Sequence, residues 1–107
     1  MNEIKVTVTK EDVRKYLYSP VVDSIAKSCP LFFATQRVCP EIEAFAYTTF
    51  ELNNSDFYIV VANQSAELCK LTTSFRTSQK RWAEQEKEDF ISNWEEKTFS
   101  FIPFNDN

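Results

Sequence analysis

The 107-residue chain contains no glycine and no histidine. Without glycine there is no P-loop and no G-x-G-x-x-G turn, because both need backbone that approaches a phosphate with no Cβ in the way. Without histidine there is no Ser-His-Asp triad, no Cys-His pair, no H-E-x-x-H zinc site and no imidazole acid or base. The three cysteines, Cys29, Cys39 and Cys69, are odd in number and show no C-x-x-C spacing. Neither a closed disulfide framework nor a zinc site is expected from them. No D-x-D or EF-hand pattern offers a carboxylate metal site, so the expected metal and cofactor content is none. Long apolar runs are also missing. The longest, over residues 57–62 and 31–34, fall far short of the ~20 residues that span a bilayer. The opening Met1-Asn2-Glu3-Ile4-Lys5 has no basic segment followed by an apolar one, so no secretory leader is expected. A cytoplasmic protein without a membrane partner is the resulting expectation.

Apolar residues make up 43% of the chain, and its aromatics are ten Phe, four Tyr and two Trp. Each buried aromatic removes roughly 150–250 Å² from water, so one core can be filled and one domain over 1–107 is expected. The formal net charge is −4. That balance argues against non-specific nucleic-acid binding, which needs a surplus of Lys and Arg against phosphate.

Ile4, Val6 and Val8 alternate with polar residues, the period of a half-buried strand. Thr9 with Asp12 three residues on makes a capping-box variant, and Val13, Tyr16 and Leu17 continue it as a short helix that Ser19-Pro20 stops. Ser28-Cys29-Pro30 opens a second helix, capped by Ser28 and ended at Pro40. Leu31, Ala34, Thr35 and Val38 share one of its faces. Phe32 and Phe33 widen the apolar surface enough to predict burial on more than one side. Residues 41–52 read as one strand, with Ile42, Ala44, Ala46 and Phe50 on one side and Phe45, Tyr47 and Thr49 on the other. Asn53-Asn54-Ser55-Asp56 is a turn of the kind a glycine-free chain must use. It leads into a strand over 57–62, giving an antiparallel hairpin. Residues 67–71 suggest a further short strand. Thr77 or Ser78 can cap a long amphipathic helix running to residue 97, with Ala83, Phe90, Ile91 and Trp94 near one face. Residues 99–104 read as a last strand. The predicted class is α+β: an antiparallel sheet of about four strands with two or three helices.

Three stretches, Ile4 through Val13, Ser28-Cys29-Pro30-Leu31 with Ala34, and Phe90-Ile91-Ser92-Asn93-Trp94-Glu95 leading to Phe99-Ser100-Phe101, carry a resemblance. Together the chain resembles a family of small accessory proteins encoded by tailed phages and prophages. That family opens with a V-T-V-T-x-E-D-I-like strand-to-helix and carries a C-P-I-A-x-A-L-like helix. It closes with F-I-x-x-F-D and an aromatic strand. Phe32 and Phe33 replace smaller residues usual in that helix, and Lys97 stands near a position often held by Gly. The resemblance implies a phage or prophage source and a fold. It implies no catalytic residue.

Catalytic candidates are thin. Glu41 with Glu43, and Glu84 with Glu88, are carboxylate pairs on exposed-looking faces, where nothing would tune them. Cys29 at a helix N-terminus could have a lowered thiol pKa, against the plainer reading of a buried small hydrophobe. No catalytic residue is therefore expected. The strongest ligand candidate is Arg76 and Arg81 flanking a helix start, beside Phe75 and Trp82, with Thr77 and Ser78 as hydroxyl donors. An arginine with an aromatic there could cradle a phosphate and stack a base. The plainer reading makes Phe75 and Trp82 core, the hydroxyls caps and the arginines solvated.

The leading expectation is a non-enzymatic accessory protein of the host cytoplasm that counters defence by sequestering a nucleotide-type immune signal as a homo-oligomer. The alternative is a protein–protein inhibitor of a host defence enzyme or nuclease. There an acidic helix bearing Glu84, Glu88 and Glu95 meets a basic groove. A virion or morphogenesis component is the third.

Overall fold

A computed structural model describes residues 3–19, 29–77 and 82–104, with the backbone alone at 76 and 77. Ser28 as a helix cap, Ser78 as a cap and the Ser19-Pro20 stop beyond Ser19 lie outside these residues. The strands are β1 (Ile4–Val8), β2 (Ile42–Ala46), β3 (Thr49–Leu52), β4 (Phe57–Val60) and β5 (Lys97–Pro103). The helices are α1 (Lys10–Tyr18), α2 (Pro30–Val38), α3 (Ser65–Thr77) and α4 (Glu84–Ser92), with a single 3-10 turn at Ala62–Gln64. The five strands form one antiparallel sheet in the order β1-β5-β4-β3-β2. The α+β class is as expected, with one more strand and one more helix than predicted.

The first unit forms as its sequence dictates. Thr9 Oγ1 accepts from the Asp12 N–H, and the Asp12 carboxylate accepts from the Thr9 N–H at 2.9 Å. This closes the capping box and starts α1 directly after β1. Asp12 is buried, and the Arg37 guanidinium at the end of α2 donates to its other oxygen. Arg37 also donates to the Thr7 carbonyl at 2.7 Å. One guanidinium thus ties α2 to the start of α1 and satisfies an outward carbonyl of edge strand β1.

Helix α2 packs against α1 and against both β1 and β2. Those two strands are opposite edges of the sheet, so the sheet curls around α2. This is why α2 is apolar on most of its circumference: Leu31, Phe32, Ala34 and Thr35 are all buried. The buried Thr35 hydroxyl is satisfied by donating to the Leu31 carbonyl at 2.7 Å. Val38, assigned to the apolar face by periodicity, is exposed because the helix ends there.

The stretch read as one strand over 41–52 is two. Tyr47 takes φ 54°, a left-handed conformation, and the chain reverses into β3 after two residues. Ser55, at φ 68°, does the same service in the next turn. These are positions where a chain with glycine would place it. A bulge between Ile42 and Ala44 breaks the alternation, so Ile42 and Phe45 both face the core. Phe45 therefore stands with Phe50, to which it is paired, and not opposite it. Phe50 stacks on Tyr58 with centroids 5.2 Å apart, and Phe101 meets Phe50 edge-on at 5.1 Å.

Residues 67–71 are helical, not extended. Leu68, Thr72 and Phe75 are the buried line of α3, at i, i+4 and i+7. Helix α4 is correspondingly shorter than the 77–97 prediction, and Thr77 ends α3 where a cap for α4 was expected. Val6, Val8, Phe99 and Phe101 on the sheet meet Leu17, Leu31, Phe75 and Ile91 from the helices in one continuous core.

Asp12→Ala removes the cap and leaves Arg37 without its buried acceptor. Because half of Arg37 is exposed, the expected loss is about 2–3 kcal/mol. Glu11→Ala, one residue earlier on the exposed side, should stay within about 0.5 kcal/mol. Urea unfolding of both variants checks the contrast, and equal losses would refute the role given to Asp12.

Candidate functional site

The chain places both of its tryptophans at one site. Helix α4 begins at Ala83, whose N–H donates to the Glu86 carboxylate at 3.2 Å. It ends without glycine at Asn93, whose side-chain amide donates to the Asp89 carbonyl at 2.9 Å. The Trp94 N–H donates to the Ile91 carbonyl at 3.1 Å, turning the chain back toward β1. The Trp94 indole N–H then donates to the Val8 carbonyl at 3.0 Å. That bond fixes the ring in plane and depth.

Around this fixed ring the aromatics assemble in sequence. Phe90 lies 5.8 Å from Trp94 and 5.1 Å from Trp82, centroid to centroid. Phe75 supports the assembly from behind, 6.0 Å from Trp94 and 6.2 Å from Phe90. The front is an open groove of about 530 Å³ lined by Trp82, Phe90 and Trp94. Its polar lining is Glu86, Asp89, Asn93, Glu95 and Lys97. Glu86, Asp89 and Glu95 are exposed. The volume falls within the roughly 300–1,000 Å³ usual for ligand sites. Lys97 sets its ammonium 6.0 Å from the Trp94 centroid and 4.0 Å from Glu67. Among the described residues, three carboxylates against one ammonium make the rim electronegative.

The residues predicted from sequence distribute unevenly around this groove. Trp82 is on its wall and Glu95 on its rim. Phe75 is 1% exposed, and its backbone carbonyl accepts the Tyr16 hydroxyl. It is core, because its ring is enclosed by Tyr16, Phe90 and Trp94. Arg76 and Thr77 are the last residues of α3, described by backbone only, and Ser78 and Arg81 lie outside the described residues. Glu84 is exposed at the start of α4.

Glu88 is already used within the chain. It accepts from Arg14 at 3.1 Å and from the Tyr18 hydroxyl, tying α4 to α1. Donating to a carboxylate pushes the Tyr18 pKa up to about 12, and the same hydrogen bond holds Glu88 below the usual carboxylate range. Sequence reading missed this tie because its partners are 70 and 74 residues away. It also missed Phe90 and Trp94 as groove walls, assigning them to a covered face. Three large rings at 82, 90 and 94 were the available signal.

Other chemistry is sparse. Cys29 and Cys39 are buried, and burial with the nearby Glu41 charge pushes the Cys39 thiol up. Among the described residues no group of His, Cys, Asp or Glu is placed to hold a metal ion. Among them, too, no helix is long and apolar enough to cross a membrane. No family model, curated protein or solved structure matches the chain.

The Tyr18–Glu88 tie sets a pH dependence. Glu88, lowered by folding, contributes stability above the ordinary carboxylate pKa of 4.5 that is lost as pH falls through its folded value. Tyr18, raised by folding, contributes stability below 10.0 that is lost as pH climbs toward about 12. Glu88→Gln should therefore flatten both limbs of a melting-temperature profile while changing the neutral region least. Unchanged limbs would refute the tie.

Proposed function

We propose that this chain is a non-enzymatic protein-binding module that inhibits by contact, with α4 and its groove meeting a basic surface of another protein. One observation carries the reading: exposed Glu86, Asp89 and Glu95 gather around an aromatic groove that, among the described residues, holds a single lysine. Aromatic anchors inside a charged rim are how protein interfaces concentrate energy and gain steering. The resemblance to small phage and prophage proteins suits a host defence enzyme or nuclease as the target. A nuclease groove is basic because it must meet phosphate, and this rim complements it.

A second reading, sequestration of a nucleotide-type signal, is favoured by the half-buried Trp82, a face on which a base can stack. It needs cationic groups from Arg76 and Arg81 to offset the acidic rim. Cytoplasmic residence and homo-oligomerisation belong with either reading as proposals.

The test is capture of host proteins by the immobilised chain at low and high salt, beside a thermal-shift array of cyclic and linear nucleotides. Capture should weaken as ionic strength rises. Asp89→Lys with Glu95→Lys should weaken it further, by about tenfold for two rim charges of up to ~1 kcal/mol each. Salt-insensitive or absent capture refutes the contact reading. A nucleotide that raises the melting temperature transfers the assignment to the second.

A further inference from the structure

We propose that the groove between Trp82, Phe90 and Trp94 is a receptor for one arginine side chain projecting from the partner protein. The inference deepens the reading of α4 as a contact surface and rests on it. Three observations converge on a cation with a flat face. First, the groove walls are aromatic, and their negative π faces attract cations. Second, Glu86, Asp89 and Glu95 stand at the rim, while among the described residues Lys97 is the one cation lining it and is shared with Glu67. A phosphate entering here would face three carboxylates. Third, the molecule already performs this recognition internally. The Lys97 ammonium lies over Trp94 at 6.0 Å, Lys15 over Phe33 at 4.3 Å and Lys87 over Tyr18 at 5.1 Å.

Arginine fits better than lysine for a geometric reason. Its guanidinium is planar, sheds water more readily, and can stack on a ring while its edge donates two parallel hydrogen bonds to a carboxylate. The Trp82–Phe90 end offers the ring surface not occupied by Lys97. Glu86 and Asp89, one turn apart on α4, offer the acceptors. Trp94 is held by the Val8 carbonyl before any ligand arrives, so less ordering is left to the binding step. A groove of about 530 Å³ has room for the side chain and the backbone that carries it.

The experiment uses the two tryptophans, which are the only ones in the chain and both line the groove. A short peptide with one arginine, capped at both ends, is titrated at constant ionic strength while intrinsic fluorescence is read. Its partners are the same peptide with citrulline, which is neutral and nearly isosteric, and with lysine. The expected result is a saturable change with a dissociation constant on the order of 1 mM. The lysine peptide should bind several-fold more weakly, and the citrulline peptide should give no saturation. Trp82→Ala, at a half-exposed position outside the core, should abolish the response with the fold intact by circular dichroism. Asp89→Asn should weaken it several-fold. Equal responses to arginine and citrulline, or no response about tenfold above 1 mM, overturn the inference. A silent peptide beside salt-sensitive capture of a host protein overturns the pocket and leaves the α4 contact standing. Silence in both overturns both.

Discussion

The hydrogen bond from the Trp94 indole to the Val8 carbonyl joins the fold to its site. One end belongs to the last turn after α4 and the other to the C-terminus of edge strand β1. The ring between them has two duties. Its inner side packs on Phe75 and closes the helical layer. Its outer side forms the wall of the groove and carries Lys97. Buried indole nitrogens need an acceptor. Here the acceptor is a β1 carbonyl, so the position of the groove is referred to the sheet and not to a loop. The Arg14–Glu88–Tyr18 tie then sets how α4 lies on α1.

At the same end of β1, one residue earlier, Arg37 performs a matching service. It pairs with the capping-box Asp12 and takes up the Thr7 carbonyl. The result is an edge strand whose outward Thr7 carbonyl is occupied and whose adjoining helix is fixed at its first turn. Helix α2, held by that arginine, fills the hollow of the curled sheet. An ion pair with only one partner buried is weak evidence for stability as such, but this one joins three elements. No buried side-chain polar atom among the described residues lacks a partner. That matches a core built from rings and branched aliphatics whose polar intruders, Asp12, Thr35 and Thr72, are each satisfied locally or by Arg37.

How far the sequence reveals this depends on range. The β1 alternation, the Thr9–Asp12 box, α2 with Pro30 at its start and the 53–56 turn are all written within a few residues, and they are where expected. Where tertiary packing overrides local pattern, the reading fails. Tyr47 accepts a left-handed conformation that no Asn-Gly signal announces, so one strand becomes two. The bulge at Ile42/Ala44 turns Phe45 inward against simple alternation. Residues 65–77 contain a helical i, i+4, i+7 line that a short β-like run obscures. At the site, Trp82 was legible as a candidate stacking surface beside a helix start, and it lies on the groove wall. Phe90 and Trp94 were not, because periodicity marks an apolar face without telling whether anything covers all of it. The commitment of Glu88 to Arg14 and Tyr18 is a long-range fact that no local pattern carries.

The account depends on one tryptophan being anchored and the other presented. Amide-type spectra of ¹⁵N-labelled protein resolve the two indole N–H groups directly. Titration with a basic peptide while hydrogen exchange is followed tests both roles together. The account predicts one slowly exchanging indole, Trp94, whose signal moves little. It predicts a second, Trp82, that exchanges readily and shifts progressively with peptide. Two indoles that exchange alike, with neither signal moving, would contradict it.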